Sequence, residues 1–193
     1  MKKFKLTSEF IVDISGVKLF RIKALIEFGN VKAGDLGGYI EKEENLSHMG
    51  DAWVSDDARI SGNAQVFGNA QVFGDAQVFG DAWVFGNARV SGNAQVSGNA
   101  RVSGNARVSG DAQVFGDARV SGDKDYAYAH GFGSCNRTTT FFRLKDGDVG
   151  VRCGCFYGTL AQFRDKVCET HGETKKAQEY LMLADLMKLR FEK

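Results

Sequence analysis

The side chains of this 193-residue chain that are suited to act on another molecule fall into three sets. The first is arginine and tryptophan: Arg89, Arg101, Arg107 and Arg119, with Trp53 and Trp83 in the same slot of the surrounding pattern. Paired guanidiniums present parallel N–H donors that suit phosphates, and an indole face suits a base. The second is aromatic, with Phe67, Phe73, Phe79 and Phe85 falling at regular intervals. An exposed aromatic belt on a protein surface usually marks contact with another surface. The third lies towards the C-terminal end. Cys153-x-Cys155 and Cys168-x-x-His171 make a possible four-ligand zinc set. His130, within Ala129-His130-Gly131-Phe132-Gly133, is the one plausible general base close to the end of the pattern. Each set also has a plainer reading. The arginines would form a solvated face, the phenyl rings would lie flat over turns, and the cysteines would be free thiols in a core.

The elements that position these residues are set by a six-residue period. Ala recurs at 52, 58, 64 and every sixth position to 118, and a β-branched residue follows two places later, from Val54 and Ile60 to Val120. Residues two apart on a strand share a side, so each hexad is a short strand with a small and a larger apolar residue inward. Gly-Asn or Gly-Asp separates successive strands, and these residues tolerate the positive φ of a tight turn. A period this short predicts a solenoid whose rungs bury their apolar faces against each other. Three hexads close a triangle, giving a left-handed parallel β-helix of roughly 18 residues per coil with rungs about 4.8 Å apart. Residues 52–120 supply four coils, and Gly34–Gly50 reads as one more, degraded coil with Leu36 and Leu46 in the small-residue slot and Ile40 inward.

The same arithmetic predicts the outward ladders. One face stacks Trp53, Gln71, Arg89 and Arg107, a second Arg59, Gln77, Gln95 and Gln113, and the third Gln65, Trp83, Arg101 and Arg119. The four phenylalanines circle one level of the prism, largely outside its core. Asn69, Asn87 and Asn105 should form an amide ladder at one corner. Asp57, Asp75, Asn93 and Asp111 stack at another, as solvated aspartates or, less simply, as a site for a hard cation.

A solenoid has open ends that need covering. Residues 1–33 read as an N-terminal β cap, with strands at Phe4–Leu6, Phe10–Ile14 and Val17–Ala24. The period fails at Gly122-Asp123-Lys124. Residues 124–137 then read as a linker, and 138–193 as a small α+β module of ββαα order: Thr138–Leu144 and Val149–Cys155 as a hairpin, then helices capped by Thr159 and Thr174. A unit of that size is small for a free-standing core, so it should dock on the last rung or on a neighbouring subunit. The whole is mainly β, divided into 1–33, 34–123, 124–137 and 138–193.

Net charge is +1, with 25% charged residues. No segment is basic enough to announce nucleic acid. The stretch from Phe4 to Phe20 is interrupted by Lys5, Glu9, Asp13 and Lys18, unlike a secretory or membrane-spanning run. A reducing cytoplasm and free thiols are therefore expected for the four cysteines, Cys135, Cys153, Cys155 and Cys168.

The hexad Val-x-Gly-Asn/Asp-Ala-x resembles the hexapeptide-repeat superfamily of left-handed β-helices. More narrowly, Gly34-Asp35-Leu36-Gly37-Gly38-Tyr39-Ile40-Glu41, Asn45-Leu46-Ser47 and the array that follows look like the YdcK-like proteins of bacteria and their prophages, over residues 17–123. Cys153–Leu160 with Glu169-Thr170-His171-Gly172 looks like a C-terminal module of phage and mobile-element proteins. The resemblance implies a phage or prophage origin and a homotrimer. Superfamily members are often acyltransferases, using a His base, a trimer cleft and a loop thrown out between rungs. Here residues 52–120 hold neither insertion nor histidine, and His48, His130 and His171 all lie outside. His48 suits a packed or capping role. Three readings stay open: a non-enzymatic oligomeric scaffold engaging a host or phage protein, a nucleotide-sequestering protein with intersubunit Arg/Trp sites, and an acyltransferase. No cofactor is expected, and neither nucleic acid nor membrane as a partner.

Overall fold

The computed structural model describes residues 1–133 and 136–192; Cys135 lies outside the described residues. The chain begins with strands β1 (Phe4–Val12), β2 (Lys18–Ala24) and β3 (Leu36–Ile40). Twelve two-residue rungs follow, β4 to β15, from Trp53–Val54 to Arg119–Val120. Then come β16 (Tyr126–Phe132), β17 (Arg137–Arg143), β18 (Val149–Cys153) and β19 (Phe156–Thr159), and helices α1 (Leu160–His171) and α2 (Lys175–Phe191).

The rungs stack as a parallel β-solenoid with the three predicted faces. Arg89 pairs in register with Gln71 and Arg107, Gln95 with Gln77 and Gln113, and Arg101 with Trp83 and Arg119. Every Ala and every Val or Ile of the array from Ala52 to Val120 is fully enclosed. Burying each Val side chain contributes on the order of 1.5–3 kcal/mol. The asparagine ladder is present, with Asn69 donating to Asn87 at 3.1 Å and Asn87 to Asn105 at 3.2 Å. At the other two corners the amides donate to carboxylates, Asn93 to Asp111 at 3.0 Å and Asn63 to Asp81 at 3.1 Å.

The first coil departs from the expectation. Ile40 pairs with Ile60 and Leu46 with Val66, so this coil leads the next by 20 residues (60 − 40) rather than 18. The two extra residues move Leu46 into the large inward slot and leave Leu36 half exposed on β3. Gly38 takes the small slot instead, because a Cβ there would lie 2.6 Å from the Ala58 carbonyl oxygen.

Rung hydrogen bonds give the solenoid a direction. The N–H of Trp53, Gln71 and Arg89 donates to the carbonyl of Ala70, Ala88 and Ala106, at 3.0, 2.9 and 2.9 Å. All such N–H groups aim towards the C-terminal end, so the first rung leaves carbonyls uncovered and the last rung leaves N–H groups. Lys3, 1% exposed, places its ammonium on the Ala52 and Gly50 carbonyls at 2.7 and 3.2 Å. Asn45 Nδ2 donates to Ala64 and Gly62 at 2.8 and 3.1 Å. The Tyr39, Glu41 and Ser47 N–H groups cover Ala58, Ile60 and Val66.

Acceptors do the same work at the far end. Asp123 Oδ1 accepts from Arg107 N–H and Thr140 Oγ1 from Gln113 N–H, both at 2.9 Å. Phe142 and Tyr126 close the apolar core. The C-terminal module therefore docks on the last rung of its own chain. It holds more sheet than the sequence suggested. The expected linker contains β16, which pairs antiparallel with β17, and residues 149–159 form two strands around a turn at Gly154, so the sheet order is β16-β17-β18-β19. Thr159 and Thr174 cap α1 and α2 as predicted.

Burial holds the Lys3 amine down at about 8, against an ordinary 10.5, with Asp51 opposing the shift. Between these values the unfolded chain binds more protons than the folded one, so stability rises with pH. Urea denaturation at pH 7.5 and pH 9.5 should show the wild-type protein gaining stability relative to Lys3→Met as pH rises; equal changes in the two proteins would contradict this assignment.

Candidate functional site

The face that begins with Trp53 carries the less committed of the two in-register arginine pairs. Arg89 and Arg107 are exposed, sit in register on neighbouring rungs, and form no ion pair or side-chain hydrogen bond among the described residues. A groove of about 640 Å³ runs along this face, bordered by Gln71, Phe73, Asn87 and Arg89, by the carboxylates of Asp51 and Asp56, and by the loop 29–31. Trp53 is not part of a free ladder. Phe28 packs edge-on against its ring at 5.4 Å and leaves it 6% exposed, because the N-terminal cap folds over the first rung. The sequence placed Trp53 on the correct face, but the cap that buries it follows no period.

The face carrying Gln65 differs in chemistry despite the same spacing. The Arg101 guanidinium lies 4.5 Å from the centre of the Trp83 ring, a cation–π contact that occupies both groups. Arg119 turns back, with Nη1 donating to the Asn99 and Ala118 carbonyls at 2.9 and 2.8 Å. The in-register pair is formed, but its second guanidinium is committed to the backbone. A second groove, about 600 Å³, runs beside Trp83 and Phe67 towards Glu43, Glu44 and His48.

The phenylalanine rings are half-buried rather than largely outside. Phe67 and Phe85 share a corner one coil apart and stack at 4.9 Å with their planes 4° from parallel, and Trp83 meets Phe67 edge-on at 6.0 Å. Phe79 shares its corner column with Ser97 and Phe115, and Ser97 is buried. The rings thus cover rung corners while keeping one edge towards solvent.

The histidines are dispersed. His48 stacks on Phe4 at 4.3 Å and accepts the Lys3 N–H on Nδ1 at 3.2 Å, a capping role. His130 lies exposed on β16, with Nδ1 2.9 Å from Thr138 Oγ1 across the hairpin, not in a linker. His171 stacks on Tyr180 at 5.8 Å. The cysteines divide likewise. Cys153 ends β18, Cys155 follows in the turn after Gly154, and Cys168 is exposed on α1. Cys153 accepts from Thr139 Oγ1 at 3.1 Å. Cys153, Cys155 and His171 line one cavity, which Cys168 does not. Among the described residues no group of three or more His, Cys, Asp or Glu side chains is arranged to hold a metal ion. No described helix is long and apolar enough to cross a membrane.

The stacked rungs and their turn columns define a parallel β-solenoid. Residues 58–74, 82–98 and 94–110 match the family described as YdcK Beta solenoid repeat, so the central array is built from repeats of that type. No curated protein matches the chain.

Cation–π shielding predicts unequal tryptophans. Iodide should quench Trp83 and leave Trp53 dark to it, and Arg101→Ala should raise the accessible fraction; uniform quenching of both rings would contradict the packing of Phe28 on Trp53.

Proposed function

We propose that this chain is a non-enzymatic, oligomeric binding protein. It engages a host protein or a ligand through the solenoid faces, with the C-terminal module as a second contact. The observation that carries this reading is the Arg89–Arg107 pair, two exposed guanidiniums in register with no partner among the described residues, of which Arg89 borders a groove that also offers Phe73 and Asn87. Guanidiniums in register and without partners are groups that a complementary partner would satisfy. A flat array that repeats one small motif without insertion supplies area and register rather than a reactive centre.

Capture of a phosphate-bearing small molecule is the second reading, favoured by the same arginines and by Phe73 in the groove, with a neighbouring subunit completing the site in a homotrimer. Of the two pairs, Arg89/Arg107 is the better candidate, since Arg119 and Arg101 already have partners within the chain. In a phage or prophage setting, within the cytoplasm of a bacterial host, either activity would serve counter-defence. Acyl transfer is the weakest reading: His48 is committed to the cap and His130 to the outer edge of the C-terminal hairpin.

Calorimetric titration with inorganic pyrophosphate and with ADP separates these readings. Binding to the wild-type protein that falls tenfold or more in Arg89→Ala/Arg107→Ala, about the size of one lost charge-assisted contact, supports phosphate capture. Binding unchanged in the double variant overturns the role of the pair. No binding of either probe removes the small-ligand reading.

A further inference from the structure

The C-terminal module carries an open cavity of its own, away from the solenoid faces. It measures about 270 Å³ and lies between the β18–β19 turn, α1 and α2. Its inner wall is built of packed rings. Phe163 of α1 meets Phe156 at 5.5 Å and Tyr180 edge-on at 5.7 Å, and Val167 lies one turn further along the same helix. Close-packed rings of this kind hold a shape rather than collapsing into the space.

The rim is cationic. Arg137 and Lys166 border the cavity, and among the described residues no carboxylate does. Lys166 is partly neutralised by Glu169 at 2.8 Å, on the solvent side of the helix. Arg137 forms no ion pair among the described residues, and its guanidinium lies beside the opening against the turn. Gly154 has φ +58°, and a Cβ there would lie 2.8 Å from Arg137 Nη1, so the absent side chain is what lets the guanidinium rest against the turn. A cation at the mouth of a low-dielectric pocket interacts more strongly with an anion than the same cation on open surface.

Size limits the guest. An apolar cavity of about 150 Å³ accepts benzene, and pockets for drug-sized ligands begin at about 300 Å³. A nucleotide is too large, and an inorganic anion would leave the ring wall unused. We infer that this cavity binds a small apolar carboxylate, one ring or a branched chain carrying a single carboxylate. Arg137 holds the carboxylate, and Phe156, Phe163 and Val167 enclose the body. The inference is independent of the reading of the solenoid faces.

The test is an amide NMR titration of the full chain with benzoate and phenylacetate, with benzyl alcohol as the uncharged counterpart. Both acids should shift amides around the cavity, Gly154 and Thr170 among them. Arg137→Gln should weaken the acids about tenfold or more and leave benzyl alcohol unchanged. Lys166→Gln, whose ammonium already has a partner, should have the smaller effect. Arg137 is exposed, so its replacement leaves the core intact. Three results would overturn the inference: no shifts at the solubility limit of the acids, equal affinity for benzoate and benzyl alcohol, or an equal loss in both variants, which would indicate only general attraction to positive charge.

Discussion

The hydrogen bond between successive rungs governs the rest of this structure. In the full coils each strand N–H reaches a carbonyl 17 residues further on, as from Trp53 to Ala70, and all point the same way. A parallel stack therefore ends in two chemically opposite edges. One presents acceptors, and Lys3 and Asn45 supply donors. The other presents donors, and Asp123 and Thr140 supply acceptors. The flanking modules are thus complements of the rung edges, chosen by polarity as well as by shape. Covering both edges also removes the open strands on which another solenoid would otherwise stack.

The same repetition constrains the corners. A Cβ on Gly62 would come within 3.1 Å of the Gly80 backbone one coil on, and φ at Gly62 is +67°, so the position excludes side chains on two grounds. The exception is Asp56, which adopts φ 56° in the corresponding slot of the first full coil. Its carboxylate accepts the Gly74 N–H at 3.0 Å, a local bond that offsets the backbone cost of the left-handed conformation. The uncrowded positions left by this scheme are the outward residue of each strand and the residue after each inward Val. Apart from the Asn/Asp exchange in the turn, variation along the array is confined almost wholly to those two, which is why Arg, Trp and Phe gather there.

What the sequence made legible follows from the period. Faces, ladders, the inward Ala and Val columns and the asparagine column are sums of multiples of six, and they hold wherever the multiple holds. Leu36 and Leu46 leave the expected slot because the first coil is two residues longer, an irregularity that no local pattern announces. Trp53 was assigned a wet face because its cover, Phe28, comes from outside the repeat. β16 has a weak local pattern, with Gly131 near its end and Gly133 just after it, and tertiary pairing with β17 outweighs that weakness. Lys3 shows the limit most clearly: its partners lie 47 and 49 residues away, and in sequence it is one basic residue among several. The C-terminal cavity was foreshadowed only by Cys153, Cys155 and His171, which line it together with Arg137.

Two surfaces of different character thus sit on one chain: long cationic and aromatic faces made by repetition, and a compact module whose cavity is made by packing. The central claim is that the repeated face is there to be covered by something else. Native mass spectrometry of the protein purified gently from a bacterial extract tests this most directly. The account predicts an oligomer, a trimer in its simplest form, carrying a protein partner or an added mass of small-molecule size. A bare monomer, with every face of the solenoid uncovered, would contradict it.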